Sequence, residues 1–257
     1  MGGKRMTTGI CRLCGEHKKL SFEHIPPRSA FNDHQRVFQT IEDRLLKNRS
    51  HSKFRRGLGK VTLCESCNSN TGSWYGEAFV NWTKRGFEWF NKIGEGTLID
   101  LPYNIKPLNV LKQTLVMALA MAPEGSLNYH EDLRRFVLCK KLKYCPPHYR
   151  VHVYFCKGGQ PRFSSGMAIM KVGVGGGASY IEGEIALPPF GYSITTPFGS
   201  HRSLADVENL CEITWFAKYN YDEKRNIYLQ IPIRETHEPF PLDYRSTEDM
   251  EKHRRKR

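Results

Sequence analysis

Two C-x-x-C pairs, Cys11-Arg-Leu-Cys14 and Cys64-Glu-Ser-Cys67, bracket the dipeptide Glu23-His24, and Asn68 follows the last cysteine directly. A C-x-x-C turn is tight enough to put both sulfurs on one metal, so two such turns supply the four thiolates of a tetrahedral Zn²⁺ site. The paired spacing predicts one closed, structural zinc at Cys11, Cys14, Cys64 and Cys67; a disulfide framework or redox dithiols are the alternative use of the same residues. Around that scaffold stand a carboxylate, an imidazole and a carboxamide. Phosphodiester hydrolysis needs an activated water and neutralisation of charge on the phosphate and the leaving oxygen. An imidazole, with its ordinary pKa of about 6.5, can take a proton from water at neutral pH, which makes His24 the candidate general base. Glu23 and Asn68 offer the hard oxygens that Mg²⁺ or a similar divalent cation prefers.

Those groups must be brought together by the elements that carry them. Leu20, Phe22 and Ile25 suggest a short strand that ends on Glu23-His24, since Pro26-Pro27 stops both a helix and continued strand pairing. Val61-Thr-Leu63 is a β-prone approach to the second cysteine pair. Between these segments, residues 28–60 hold nine Lys or Arg against three acidic residues. This basic excursion nominates Lys53, Arg55, Arg56 and Lys60 for contact with a phosphate backbone, a solvated loop being the plainer reading; a short helix is expected near Gln39–Lys47. Phe31, Phe38 and Phe54 are expected to anchor the excursion. After Cys67 a helical turn is expected, broken by Asn68-Ser-Asn-Thr-Gly72, with Ser73 capping a new helix to about Asn91. Tyr75, Phe79, Trp82 and Phe90 recur along that helix near helical spacing, the pattern of a core-facing stripe rather than a base-stacking platform.

From about residue 101 the punctuation changes. Leu108–Met121 is apolar nearly all round and predicts a buried helix, and Asn128–Lys141 an amphipathic one. Beyond Pro146-Pro147 the period becomes two, over Val151–Phe155, Met167–Val172, Tyr180–Leu187, Cys211–Lys218 and Ile227–Ile233, which predicts an antiparallel sheet. Val172-Gly-Val-Gly-Gly-Gly177 lacks the Lys-Ser/Thr of a phosphate loop and reads as a connection. Cys139, Cys145, Cys156 and Cys211 lack metal-ligand spacing and read as buried thiols. No motif in this half converts to chemistry.

Composition narrows the partners. At 257 residues the chain can bury a core of its own, and its 39 Lys plus Arg against 26 Asp plus Glu give a formal charge of +13, which favours a polyanion. No apolar run is long enough for a membrane span, so a membrane is not an expected partner. The first residues, Met-Gly-Gly-Lys-Arg, lack the apolar core of a secretory signal. A cytoplasmic, reducing setting in which thiolates persist is therefore expected. The basic end, Lys252-His-Arg-Arg-Lys-Arg257, reads as a tail that orders on a polyanion.

Residues 11–72 resemble an HNH endonuclease, a ββα-metal module with zinc-knuckle cysteines. In that family an acidic residue and His precede Ile and Pro, and a later Leu-Cys-x-x-Cys is followed by Asn or His. The resemblance implies His24 as general base, Glu23 where the family usually has a metal-binding Asp, and Asn68 as the final ligand, with Asn70 its nearest competitor. It implies Mg²⁺ as catalytic cation and DNA, more than RNA, as substrate. The family's middle Asn, nine residues before the last ligand, falls on Gly59. His17, His34 and His51 are further imidazoles near the site, read as surface residues. The whole is expected to be α+β: a zinc-stabilised ββα-metal region over 1–100, then a helical and antiparallel-sheet accessory region over 101–257 that can take a protein or ligand partner. The competing expectation is a non-catalytic, zinc-dependent DNA- or RNA-binding adaptor.

Overall fold

Strand β1 (Thr8–Ile10) pairs antiparallel with β2 (His17–His24), and β2 pairs antiparallel with β5 (Gly59–Cys64). The hairpin of β3 (Arg36–Phe38) and β4 (Ser52–Phe54) lies between them in sequence. These elements come from a computed structural model of the chain, which describes residues 7–38, 52–93, 100–123, 130–156, 162–171, 178–197 and 210–234. The architecture is α+β, helices with antiparallel sheet. The expected helix at 39–47, His51, the glycine run 172–177 and the basic tail lie outside the described residues, as do the side chains of β3 and of Lys53.

Helix α1 (Glu65–Thr71) starts between the two cysteines of the second pair and runs without a break, through a π turn at Gly72–Gly76, into α2 (Glu77–Phe90). The expected break at Asn68–Gly72 does not occur, and Ser73 caps nothing, since the residue before α2 is the helical Gly76. Asn, Ser and Gly each oppose helix by up to about 1 kcal/mol. Full burial of Tyr75, Phe79 and Trp82, each at most 1% exposed, contributes about 1.5–3 kcal/mol per side chain and outweighs them. The aromatic stripe is core: Trp82 stacks on Phe190 at 4.6 Å and donates its indole N–H to the Tyr192 hydroxyl at 2.8 Å.

β6 (Leu101–Ile105) leads into α3 (Pro107–Met121), where Pro107 occupies the first turn that needs no intrahelical N–H. All of α3 except Ala118 is buried, as its all-round apolarity predicts. The amphipathic α4 (Glu131–Leu138) buries Leu133, Phe136 and Val137. β7 (Arg150–Cys156), β8 (Arg162–Lys171), β9 (Ala178–Leu187), β10 (Phe190–Pro197) and β11 (Cys211–Glu212) form a sheet in the order β11-β7-β10-β9-β8.

Three details differ from the sequence expectation. β10 falls in a segment for which no strand was expected; Gly191 is needed there because a Cβ would lie 2.0 Å from the Tyr154 ring. The expected strand Cys211–Lys218 is two strand residues followed by a 3₁₀ turn at Thr214–Lys218, whose apolar residues do not alternate strictly. Ile227–Ile233 divides into β12 (Arg225–Leu229), which pairs with β6, and β13 (Ile233–Arg234), which pairs parallel with the end of β7. Cys156 is buried, but Cys139 is exposed and Cys145 and Cys211 are intermediate, so the four thiols are not uniformly interior.

One buried apolar cluster joins Leu13, Leu63 and Phe79 to Leu111, Phe136 and Tyr192, so the two halves of the chain share a core. A polar seam reinforces the junction at the C-terminal end of α3, whose last carbonyls have no intrahelical partner. Thr62 Oγ1 donates to Ala120 O at 2.8 Å, Lys60 Nζ to Met121 O at 3.3 Å, and Arg12 Nε to Ala122 O at 3.1 Å. Two cations thus sit at the negative end of the helix dipole. From α4, Arg134 Nε donates to Leu13 O at 2.7 Å, inside the first cysteine turn.

Candidate metal centre and adjoining cavity

The first cysteine pair follows β1, and the second spans the end of β5 and the start of α1, so the β2–β5 pairing brings the four thiols together. All four sulfurs lie within 4.8 Å of one another, with Cys14 and Cys64 at 4.0 Å. A tetrahedral Zn²⁺ with Zn–S bonds of about 2.3 Å sets its sulfurs roughly 3.8 Å apart. All four cysteines are free rather than disulfide-bonded. A hydrogen bond from Cys67 draws the Cys11 thiol down to about 4. The same contact and burial push Cys67 up, and burial raises Cys14. A bound divalent metal would favour the thiolate form of all four. The Cys64 backbone N–H, 3.2 Å from Cys11 Sγ, is the kind of donor that supports a metal thiolate. Four cysteines in this arrangement can bind a metal ion such as zinc.

At the far end of β2 stand Glu23 and His24, opposite Lys60 and Gly59 of β5. A bulge between Ser21 and Phe22 precedes them; such bulges re-aim the residues that follow. Glu23 and His24, neighbours in the strand, both line one cavity of about 530 Å³. His24 Nε2 lies 3.0 Å from the Arg56 carbonyl oxygen. That oxygen can only accept, so Nε2 carries the proton and Nδ1 keeps the free lone pair. The ring packs edge-on to Phe22 at 4.9 Å. Glu23 is partly buried, has no hydrogen bond or ion pair among the described residues, and is raised by burial to about 7. Its carboxylate lacks the positive charge that burial calls for.

Asn68, on the first turns of α1, reaches β2: its Nδ2 donates to Ser21 Oγ at 3.0 Å and to Phe22 O at 3.2 Å, one residue short of Glu23. Asn70 is exposed on another side of the helix. His17 is exposed at the opposite end of β2 from His24, and His34 is exposed beside Asp33. Arg55 and Arg56 are exposed, whereas the ammonium of Lys60 is engaged by the end of α3. Phe31 anchors the segment after His24 by packing on Phe87 of α2 at 4.8 Å.

Gly59 cannot carry a side chain at all, because a Cβ there would lie 2.0 Å from Glu23 O. A carboxamide brace comes instead from Asn32, only 1% exposed. Its Nδ2 donates to Pro26 O at 2.7 Å and to Leu58 O at 2.8 Å, and its Oδ1 accepts from Leu58 N at 2.7 Å. This ties the turn after His24 to the start of β5. Replacing Asn32 by Ala strands the Pro26 carbonyl and the Leu58 N–H, while Leu58 O keeps its bond from Ile25 N, and is expected to destabilise the fold by about 2 kcal/mol. Urea denaturation of the variant checks this; a loss below about 1 kcal/mol would mean that the brace is dispensable. Sequence spacing does not reveal Asn32, because its partners are backbone atoms of distant segments. The remaining cavity residues, Arg28, Glu77, Asn81 and Lys84 among them, were also missed. For the last three the available signal was their i, i+4, i+7 spacing on one helix face.

No family model, no curated protein and no solved structure matches the chain.

Proposed function

We propose that the chain is a metal-dependent endonuclease of the HNH type, with zinc at the four cysteines as a structural ion and DNA as the preferred substrate. The observation that carries this reading is the opening of Glu23 and His24 into a single cavity that also exposes Arg28 and Lys84. An imidazole base, a carboxylate without a cation and two side chains able to pair with phosphate therefore share one space. The β2–β5–α1 order supports the same reading, being the two strands and helix of a ββα module.

In this reading the Arg56 carbonyl holds the His24 ring, and Nδ1 accepts the proton of the attacking water. Glu23 holds a divalent cation such as Mg²⁺ together with Asn68, whose Oδ1 accepts no hydrogen bond among the described residues. When bound, that ion supplies charge neutralisation at the phosphate and the departing oxygen. Arg28 and Lys84 bind the substrate's phosphates, and the exposed Arg55 and Arg56 extend the basic surface. Among the described residues no helix is long and apolar enough to cross a membrane.

The test is incubation of the zinc-loaded protein with supercoiled plasmid and with RNA in Mg²⁺ or Mn²⁺, alongside binding measured over a salt series. Cleavage of plasmid is the expected result. Binding that weakens steeply with salt, with no cutting in any divalent ion, identifies the adaptor instead.

A further inference from the structure

Gln113 lies on α3, far in sequence from the cysteines and the Glu23-His24 dipeptide, yet it lines the same cavity. It is only 1% exposed, and its Oε1 has no hydrogen-bond partner. A buried carbonyl oxygen left without a partner is costly relative to one that is paired. A helix that can bury Leu or Met at that position retains a polar side chain on the cavity wall. Two carboxylates line the same cavity, Glu23 at the end of β2 and Glu77 in the first turn of α2. Gly72 and Gly76 line the same cavity, and an added Cβ at either would meet nothing within 4 Å.

Ionised Glu23 and Glu77 and the Gln113 carbonyl have only lone pairs to offer. Their complement is a positive centre, and two carboxylates with one neutral carbonyl match the charge and the hard-oxygen preference of a divalent cation. Asn81, one turn beyond Glu77, adds a further carboxamide, and Lys84 stands at the next turn to meet the phosphate that such an ion would bring. A purine or pyrimidine edge would instead want donors and acceptors interleaved.

We infer that the cation held by Glu23 is also held, directly or through its water shell, by Glu77 of α2 and Gln113 of α3. The site is then completed by a residue outside the ββα module. This deepens the nuclease reading and rests on its assignment of Glu23 as a cation ligand.

The experiment titrates Mn²⁺ into the zinc-loaded, full-length chain and follows free Mn²⁺ by electron paramagnetic resonance. The wild type is expected to take up one Mn²⁺ in addition to zinc. Glu77→Gln and Gln113→Met are each expected to raise the Mn²⁺ Kd at least tenfold, with zinc content unchanged and the melting temperature not lowered. Should Gln113→Met fail to fold, Glu77→Gln, an exposed position, decides alone. No Mn²⁺ uptake by the wild type, or an unchanged Kd in the folded variants, overturns the inference. Plasmid cleavage measured in parallel separates the two claims: cutting with unchanged Kd values sinks this site and leaves the nuclease standing. Weakened Mn²⁺ binding in the variants of a protein that never cuts upholds the site and sinks the nuclease.

Discussion

His24→Ala is expected to lower Mg²⁺-dependent plasmid cleavage by about 10²–10⁴-fold, the range lost with a general base, at unchanged zinc content and melting temperature. The ring's structural contribution is small: one hydrogen bond, from Nε2 to the Arg56 carbonyl, at a half-buried residue, and one edge contact with Phe22. Removing them costs about 1 kcal/mol, too little to unfold a domain of ordinary stability. A loss of cleavage in a folded, zinc-loaded protein therefore reports chemistry. His24→Gln sharpens the test, since a carboxamide N–H can still reach the Arg56 carbonyl while offering no basic nitrogen. Cleavage at the wild-type rate in either variant would remove His24 from the mechanism.

Loss of the metal from the four cysteines is expected to be the largest structural perturbation available. A structural zinc contributes about 10–16 kcal/mol of binding free energy at neutral pH, as much as or more than the roughly 5–15 kcal/mol that separates a folded domain from its unfolded chain. Without an ion, the mutual contact and burial work against thiolates at Cys67 and Cys14, and no disulfide among the described residues joins the two cysteine turns. Cys11→Ser, or exhaustive chelation, is expected to melt β1, β2 and β5, with loss of the cavity that Glu23 and His24 share. Elemental analysis showing one zinc per wild-type chain and less than one per Cys11→Ser chain, paired with thermal melts, is the check. A Cys11→Ser protein with full metal content and an unshifted melting temperature would show that the cluster is not a zinc site of this kind. The second half of the chain is expected to retain more structure than the first, because α3 and the β7–β10 sheet bury their own apolar faces.

Lys60 illustrates how a charge run misleads. Its position in a basic excursion nominates it for phosphate contact, but its ammonium serves the Met121 carbonyl at the end of α3. Arg12, never suspected, does the same for Ala122. Both interactions require knowing that β5 and the first cysteine turn sit on the end of a helix more than fifty residues downstream. Local spacing carries no trace of that.

What the sequence determined by itself is whatever short-range geometry dictates. Two C-x-x-C turns can place their sulfurs in few ways, so the four-cysteine cluster is legible from spacing alone. Pro26-Pro27 must end a strand, which puts Glu23 and His24 at its edge, and the aromatic stripe and the apolar run of α3 must be core. Tertiary structure decided what depends on packing between distant segments. It carried the helix through Asn68–Gly72 because aromatic burial outweighs local propensity. It left Gly59 without a side chain because the Glu23 carbonyl fills that space, and moved the brace to Asn32. It also set Glu77 and Gln113 around the cavity of Glu23, since only the docking of α3 against α2 and the β2–β5 pair brings groups from both halves of the chain to one place.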